Sequence, residues 1–232
     1  MTLKDLKSLP GDGYFIMPIS MSKATNPSQD PKTCYEMIEH VSDKCEELSN
    51  DLIFLYTSEL YFNTEQKAYN MRKKVTQQLL SHRNGIDKLI RAKKRFIPNA
   101  FHYLTFDFIL ANSKEYDEYL KKLLAQYQSD DKFKRLVKDM LDERSTSEAN
   151  VRFILEETIV SHLIRTNATN FPRTLVRKDK WRLIAYPDPY LKLDAYIWQN
   201  KILPRNANHN IYANNIYDSK NKILYDLNKV KV

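Results

Sequence analysis

Three short stretches hold side chains whose types and spacing could do chemistry. The first is YFIMPIS, residues 14–20, an apolar run that ends on Ser20 and opens into the polar, proline-containing MSKATNPSQDP. A serine at the carboxyl end of a strand, followed by an open loop, is how an α/β protein presents a nucleophile, although many ordinary strands end the same way. The second is FILEETI, residues 153–159, in which Glu156 and Glu157 interrupt an otherwise apolar helix. Adjacent helical residues point about 100° apart, so at least one of the two carboxylates faces inward, where an ionised group is costly without a partner. Either an arginine supplies that partner in a structural ion pair, or the carboxylate binds and deprotonates a substrate amine. The third is Ala185-Tyr186-Pro187, where the proline ends a strand and leaves Tyr186 at the end of the sheet that binds ligands in α/β proteins; an amphipathic rim tyrosine is the plainer alternative.

Several chemistries are not supported. G-x-S-x-G is absent and no histidine is placed to serve as a base for Ser20, which disfavours a serine hydrolase. The three glycines form neither GxxxxGK nor GxGxxG, so there is no phosphate cradle for ATP or NAD, and a reaction here must use a substrate that arrives already activated. Cys34 and Cys45 lie on one helical segment, about 16 Å apart, too far for a disulfide. Neither belongs to a CxxC or HxxxH pattern, so reduced thiols, no metal and no cofactor are expected.

These groups need elements to position them. Tyr14–Ile19 and DLIFLYTS, residues 51–58, read as strands, the second apolar almost throughout, as in a strand covered on both faces. A helix over Cys34–Leu48 lies between them, which makes a βαβ unit with parallel strands. A helical stretch over Glu65–Arg95 follows, with an interruption expected at Asn84-Gly85, where glycine suits a helix end. A third strand is expected around His102–Phe106. Three helices come next, with Asp130 or Asp131 and Ser147 or Glu148 near the starts of the second and third. WRLIAYP is a late strand and YLKLDAYIWQ a final helix, while the asparagine-rich tail from Arg205 has no clear periodicity until KILYDL, residues 222–227. At 232 residues and 42% hydrophobic, the chain suits one domain, 1–232, with one core. No apolar run is long enough to span a membrane and MTLKDLKSLPGDG lacks the apolar region of a secretory signal, so a cytoplasmic protein with no membrane partner, and a monomer, is expected.

The formal net charge is +8, and its surplus is concentrated: between Lys67 and Arg95 there are ten basic residues and one acid, Asp87. Lys88, Arg91 and Arg95 recur at helical spacing with Ile86, Leu89 and Ile90 toward the core, and Lys73, Lys74, Arg83 and Lys94 extend the charge. Such a stripe fits phosphate contacts, with a solvated lysine face as the bland alternative.

In order and spacing, these segments resemble the tRNA-dependent cyclodipeptide synthases over roughly Tyr14 to Pro204. YFIMPIS is similar to that family's H-x-[LVI]-[LVI]-G-[LVI]-S at Ile16, loosely at Met17, and at Ile19 and Ser20; FILEETI is similar to Y-[LVI]-x-[AE]-E-[LVI]-P at Ile154, Glu156 and Glu157. Lys23, where one branch of the family has asparagine, and Tyr186-Pro187 resemble the XYP branch. Pro18 replaces the motif glycine, Phe153 the tyrosine that opens the second motif, and Thr158-Ile159 its last pair. Phe153 cannot donate the hydrogen bond attributed to that tyrosine.

The resemblance implies a Rossmann-like parallel sheet flanked by helices, similar to class I aminoacyl-tRNA synthetase catalytic domains. It also implies a ping-pong reaction of two aminoacyl-tRNAs through an aminoacyl-serine and a dipeptidyl-enzyme to a 2,5-diketopiperazine. Ser20 is then the nucleophile, Glu157 the group that holds the substrate amine, with Glu156 as the fallback, and Tyr186 a proton relay. Ile16, Pro18, Ile53, Leu55 and Ile184 line the aminoacyl pocket, and Lys73, Lys74, Arg83, Lys88, Arg91, Lys94 and Arg95 hold tRNA. The competing reading is a non-catalytic RNA- or tRNA-binding module in which the basic stripe is the whole function and Ser20 is incidental.

Overall fold

The computed structural model describes residues 13–20, 29–44, 51–57, 68–93, 101–141, 146–166, 181–187, 189, 191–206 and 210–232. In chain order the elements are β1 (Gly13–Ile19), α1 (Pro31–Lys44), β2 (Asp51–Tyr56), α2 (Ala68–Lys93), β3 (Phe101–Thr105), α3 (Phe106–Ala111), α4 (Tyr116–Ser129), α5 (Asp131–Leu141), α6 (Glu148–Arg165), β4 (Trp181–Tyr186), α7 (Leu191–Gln199), β5 (Asn215–Asp218) and β6 (Ile223–Asp226). The strands form one sheet in the order β3-β2-β1-β4-β5-β6, in which every pairing is parallel except β5 with β6.

Side-chain alternation divides the core between the two faces of the sheet. Tyr14, Ile16, Ile53, Leu55 and Ile184 point to one face and pack with apolar residues of α3 to α7. Phe15, Met17, Ile19, Phe54, Tyr56, Leu183 and Ala185 point to the other and pack with Cys34 and Met37 of α1 and Val75 and Ile86 of α2. Both faces are covered, so the central strands are apolar at successive positions rather than at every second one.

Helix starts follow their local chemistry. Asp30 accepts the amide of Thr33 at 2.7 Å with Pro31 in the first turn of α1. Asp130, rather than Asp131, accepts the amides of Lys132 and Phe133 and starts α5, and Ser147, rather than Glu148, is the cap of α6. α1 spans Pro31–Lys44, so its first turn comes before Cys34; Cys45, Lys94 and Arg95 lie outside the described residues.

The interruption expected at Asn84-Gly85 does not exist: α2 runs unbroken through both residues, and Gly85 has no left-handed backbone. The glycine serves close packing instead. A Cβ placed on it would lie 2.7 Å from Pro31 Cγ at the start of α1, so the missing side chain lets the two helices approach. Gly13 has a similar role, since a Cβ there would enter the Trp181 indole at 1.9 Å.

The asparagine-rich tail supplies two strands of the sheet, β6 lying within the KILYDL run. β5 extends the parallel order beside β4, and β6 returns antiparallel through a turn in which Asp218 accepts the amides of Lys220 and Asn221. The tail's asparagines satisfy backbone groups that the short strands leave open. Buried Asn210 accepts from the Arg182 amide and donates to the carbonyls of Arg182 and Arg165, occupying the edge of β4 before β5 begins to pair.

Candidate active site at the sheet switch point

The strand order reverses between β1 and β4, because the chain builds outward through β2 and β3 on one side and through β5 on the other. In open α/β sheets a crevice forms at such a point, beyond the carboxyl ends of the strands. Here the last register pair between the two strands is Ile16 with Ile184, so beyond it β1 and β4 part. The cavity that results has about 510 Å3 of empty space, open solvent at its mouth included. Its walls come from Pro18 of β1, Ile184 and Tyr186 of β4, Glu157, Val160, Ser161 and Ile164 of α6, with Phe106, Thr158, Pro189, Asp194 and Ile216 completing them.

Segments far apart in sequence therefore converge. Ser20 follows β1 directly and is 7% exposed. Pro18 is in the cavity wall, and alternation puts Ser20, two residues on, on that same face of the strand. Glu157 and Tyr186 both reach the cavity, and Phe153 is buried one helical turn before Glu157. Of the five residues expected to form an aminoacyl pocket, Pro18 and Ile184 are in the wall; Ile16, Ile53 and Leu55 are fully buried in the core on this face of the sheet.

The two adjacent glutamates have separate environments. Glu156 is 1% exposed and accepts from Arg152 Nε at 2.9 Å and from the Tyr116 hydroxyl. Burial, followed by the hydrogen bond to Glu156, raises the Tyr116 hydroxyl to about 12, so it stays a donor. Glu156 is thus the carboxylate held by an arginine, and Glu157 is the one at the cavity.

Other polar groups in the wall are already engaged. Asp194 pairs with fully buried Arg165 at 3.1 Å and accepts from Ser161 at 3.3 Å, while Arg165 also donates to the Ala213 carbonyl. Burial raises the Asp194 carboxyl, and the Arg165 charge opposes that rise. Thr158 donates to the Ile154 carbonyl. With these groups bonded to one another, the remaining wall is largely Pro18, Phe106, Val160, Ile164, Ile184 and Ile216, which suits an apolar moiety.

Sequence reasoning missed Ser161, Ile164, Asp194 and Ile216. The spacing Glu157, Ser161, Ile164 is a helical face and could have revealed the first two; the others depend on how α7 and β5 dock. Gln29 was missed as well. It is fully buried, its Nε2 donates to the Pro18 carbonyl at 3.0 Å, and its Oε1 accepts the Ser20 amide at 3.0 Å.

On α2, Lys73, Lys74, Lys88 and Arg91 are exposed. At about 100° per residue they fall within an arc of roughly 100°, opposite buried Val75, His82 and Ile86, and Lys73 to Arg91 spans about 27 Å. Arg83 leaves this arc: its guanidinium lies 4.4 Å from the centre of the Tyr103 ring and 3.9 Å from Asp87. Among the described residues there is no cluster of metal-ligating side chains and no helix long and apolar enough to cross a membrane.

No protein-family model matches this sequence, and no curated protein matches it. Solved structures do. The chain is similar to a cyclodipeptide synthase from Staphylococcus haemolyticus (TM-score 0.58, 16% identity, 90% of this chain and 94% of that one). It is likewise similar to one from Bacillus thermoamylovorans (TM-score 0.56, 16% identity, 90% and 91%). A Mycobacterium tuberculosis protein, described as demonstrating that cyclodipeptide synthetases are related to type I tRNA synthetases, matches at TM-score 0.52, 14% identity, 80% of this chain and 78% of that one. The chain thus has the mostly parallel, helix-flanked α/β fold of cyclodipeptide synthases, which are related to class I tRNA synthetases.

Proposed function

We propose that the protein is a tRNA-dependent cyclodipeptide synthase that joins two aminoacyl groups, delivered as aminoacyl-tRNAs, into a 2,5-diketopiperazine. One observation carries the reading: Glu157 of α6, Tyr186 of β4 and Pro18 of β1, two residues before Ser20, line a single cavity at the switch point of a sheet shared with such enzymes. In the first step Ser20 Oγ bonds to the ester carbonyl carbon of one aminoacyl-tRNA. The bond to the ribose oxygen breaks, and the hydroxyl proton passes to that oxygen as tRNA leaves. In the second, the amine of the serine-bound aminoacyl group attacks the ester of a second aminoacyl-tRNA, releasing the second tRNA and leaving a dipeptidyl-serine. The free amine of the dipeptide then attacks the serine ester, closing the ring and returning the proton to Ser20.

Glu157 holds the aminoacyl amine and takes its proton as the carbon–nitrogen bond forms. Tyr186, which also lines the cavity, relays a proton or polarises the ester carbonyl. The substrate esters are already activated, in keeping with the lack of a nucleotide-binding glycine loop. The cation arc of α2, Lys73, Lys74, Lys88 and Arg91, makes phosphate contacts that fix affinity without reading sequence. Phe153, one turn before Glu157, has no hydroxyl to donate, so in this reading Glu157 holds the amine without a phenol's help. The proposed enzyme is an aminoacyltransferase of the XYP branch, a cytoplasmic monomer of one catalytic domain.

The test is expression in bacteria, with mass spectrometry of the medium for cyclic dipeptides beside a Ser20→Ala control. Product from the wild type alone is expected. Product from both removes Ser20 from the mechanism, and product from neither favours the non-catalytic RNA-binding module.

A further inference from the structure

We propose that Gln29 is a positioning residue for Ser20: its side-chain amide takes the place of a missing neighbouring strand and fixes the backbone that carries the nucleophile. This rests on the reading of Ser20 as the nucleophile.

In a parallel pair, one residue of a strand donates its N–H to the carbonyl of residue i−1 on its neighbour and accepts the N–H of residue i+1. The Gln29 amide reproduces that pattern about Ile19. Nε2 donates to the Pro18 carbonyl and Oε1 accepts the Ser20 amide, both at 3.0 Å. On the other side of β1, the Ile19 carbonyl accepts from the Thr57 amide at 3.1 Å and the Thr57 hydroxyl at 3.3 Å, just beyond β2. Successive carbonyls of an extended strand point to opposite sides, so Pro18 and Ser20 turn their backbone groups toward β4, from which β1 has parted. Opening the crevice for a substrate would leave those groups buried without partners, at a cost of about 1–3 kcal/mol each. Pro18 removes one donor from that edge by its chemistry, and Gln29 satisfies the Pro18 carbonyl and the Ser20 amide.

Gln29 is itself held by a second set of bonds on the far face of the sheet. Its carbonyl accepts from His82 Nε2 of α2 at 2.8 Å and from the Cys34 thiol of α1 at 3.4 Å, and His82 Nδ1 lies 2.9 Å from the Tyr56 hydroxyl of β2. The carbonyl can only accept, so Nε2 carries the proton and Nδ1 accepts from Tyr56. Burial lowers the His82 titration and keeps the ring neutral, in agreement with that tautomer. Three elements thus fix the main chain of Gln29, and its side chain passes that rigidity to the Ser20 peptide. A nucleophile at the end of a strand that has parted from its neighbour gains its attack geometry this way.

The test uses the full chain and the variants Gln29→Ala and Gln29→Glu; glutamate keeps the acceptor for the Ser20 amide but loses the donor to Pro18. Amide hydrogen exchange at Ser20, read by NMR in the free protein, is expected to quicken at least tenfold in Gln29→Ala and much less in Gln29→Glu, with exchange at Phe54 unchanged. A Ser20 amide equally protected in all three overturns the proposal. Single-turnover acylation by aminoacyl-tRNA, followed by mass of the intact protein, is expected to slow at least tenfold in Gln29→Ala and to recover partly in Gln29→Glu, with the concentration for half-maximal rate unchanged. Loss through a higher half-maximal concentration at full rate would overturn the positioning role. If the wild type forms no serine adduct, the proposed reaction fails, and the exchange measurement alone then decides whether the amide clamps the strand end.

Discussion

Replacing each of the adjacent glutamates by glutamine should separate a carboxylate that holds the fold from one that does chemistry. Glu156 is buried and accepts two hydrogen bonds, from Arg152 and Tyr116. Hydrogen bonds to a charged group contribute about 1.5–3 kcal/mol each, but the Arg152 side chain is 45% exposed and its share is reduced by solvent. Glutamine keeps the shape and one acceptor oxygen, so the expected cost of Glu156→Gln is about 2 kcal/mol, or roughly 4–8 °C in Tm for a chain of this size. Its turnover, measured where it is fully folded, should stay within a few-fold of wild type. Glu157 is half-buried at the cavity, and Glu157→Gln should cost less stability than Glu156→Gln. If this carboxylate takes the proton of the substrate amine, turnover falls about 10²- to 10⁴-fold, equivalent to roughly 3–5 kcal/mol in the barrier. The assay combines thermal melts with mass-spectrometric quantification of cyclic dipeptide from purified protein and aminoacyl-tRNA. The assignment is refuted if folded Glu156→Gln is inactive while Glu157→Gln turns over normally.

Reversing Lys73, Lys74, Lys88 and Arg91 together to glutamate should weaken binding of aminoacyl-tRNA and flatten its salt dependence, measured by fluorescence anisotropy at several ionic strengths; unchanged affinity would move the RNA surface away from α2. Val160→Phe fills part of the cavity and should shift the product spectrum toward smaller apolar residues, read by mass spectrometry; an unaltered spectrum would show that the aminoacyl side chain sits elsewhere. Arg165→Met leaves Asp194 buried without its cation and should cost about 3–5 kcal/mol in urea unfolding, with Arg165→Met/Asp194→Leu recovering much of the loss. His162 is buried beside Arg165, which with burial lowers its pKa from the ordinary 6.5 to about 3. Between those values the unfolded chain binds the extra proton, so the stability this residue contributes is complete above about pH 6.5 and is lost as pH falls toward about 3, with a slope of up to about 1.4 kcal/mol per pH unit. His162→Gln should therefore show a shallower acid limb in denaturation midpoints, and an identical limb would refute the assignment.

Much of this molecule follows from local rules. Apolar runs marked β1 and β2 as strands, the second as one covered on both faces, the intervening helix made them parallel, and the pairs Asp130-Asp131 and Ser147-Glu148 each held the residue that accepts amides of the following turn and starts a helix. The separate clustering of cations and apolar residues along α2 was legible because both depend on helical period alone. Other features are decided between elements distant in sequence. Gly85 reads as a helix end in isolation; only the approach of Pro31 makes it a packing residue inside α2. β5 is four residues long, too short for alternation to register, and exists because β4 offers an edge and asparagines close what remains open; the KILYDL run that holds β6 is periodic, but its antiparallel pairing with β5 is set only in the fold.

The glutamate pair shows the same division. Sequence required that one carboxylate turn inward and find a partner, because burial of charge is costly at any such position. It could not say which, since Tyr116 lies forty residues away in the chain and the cavity that receives Glu157 is shaped by β1, β4 and α7. Gln29 marks the limit most sharply. A glutamine in a polar loop has no periodicity or motif to single it out, and its role arises only because β1 and β4 separate and leave one peptide edge to be satisfied.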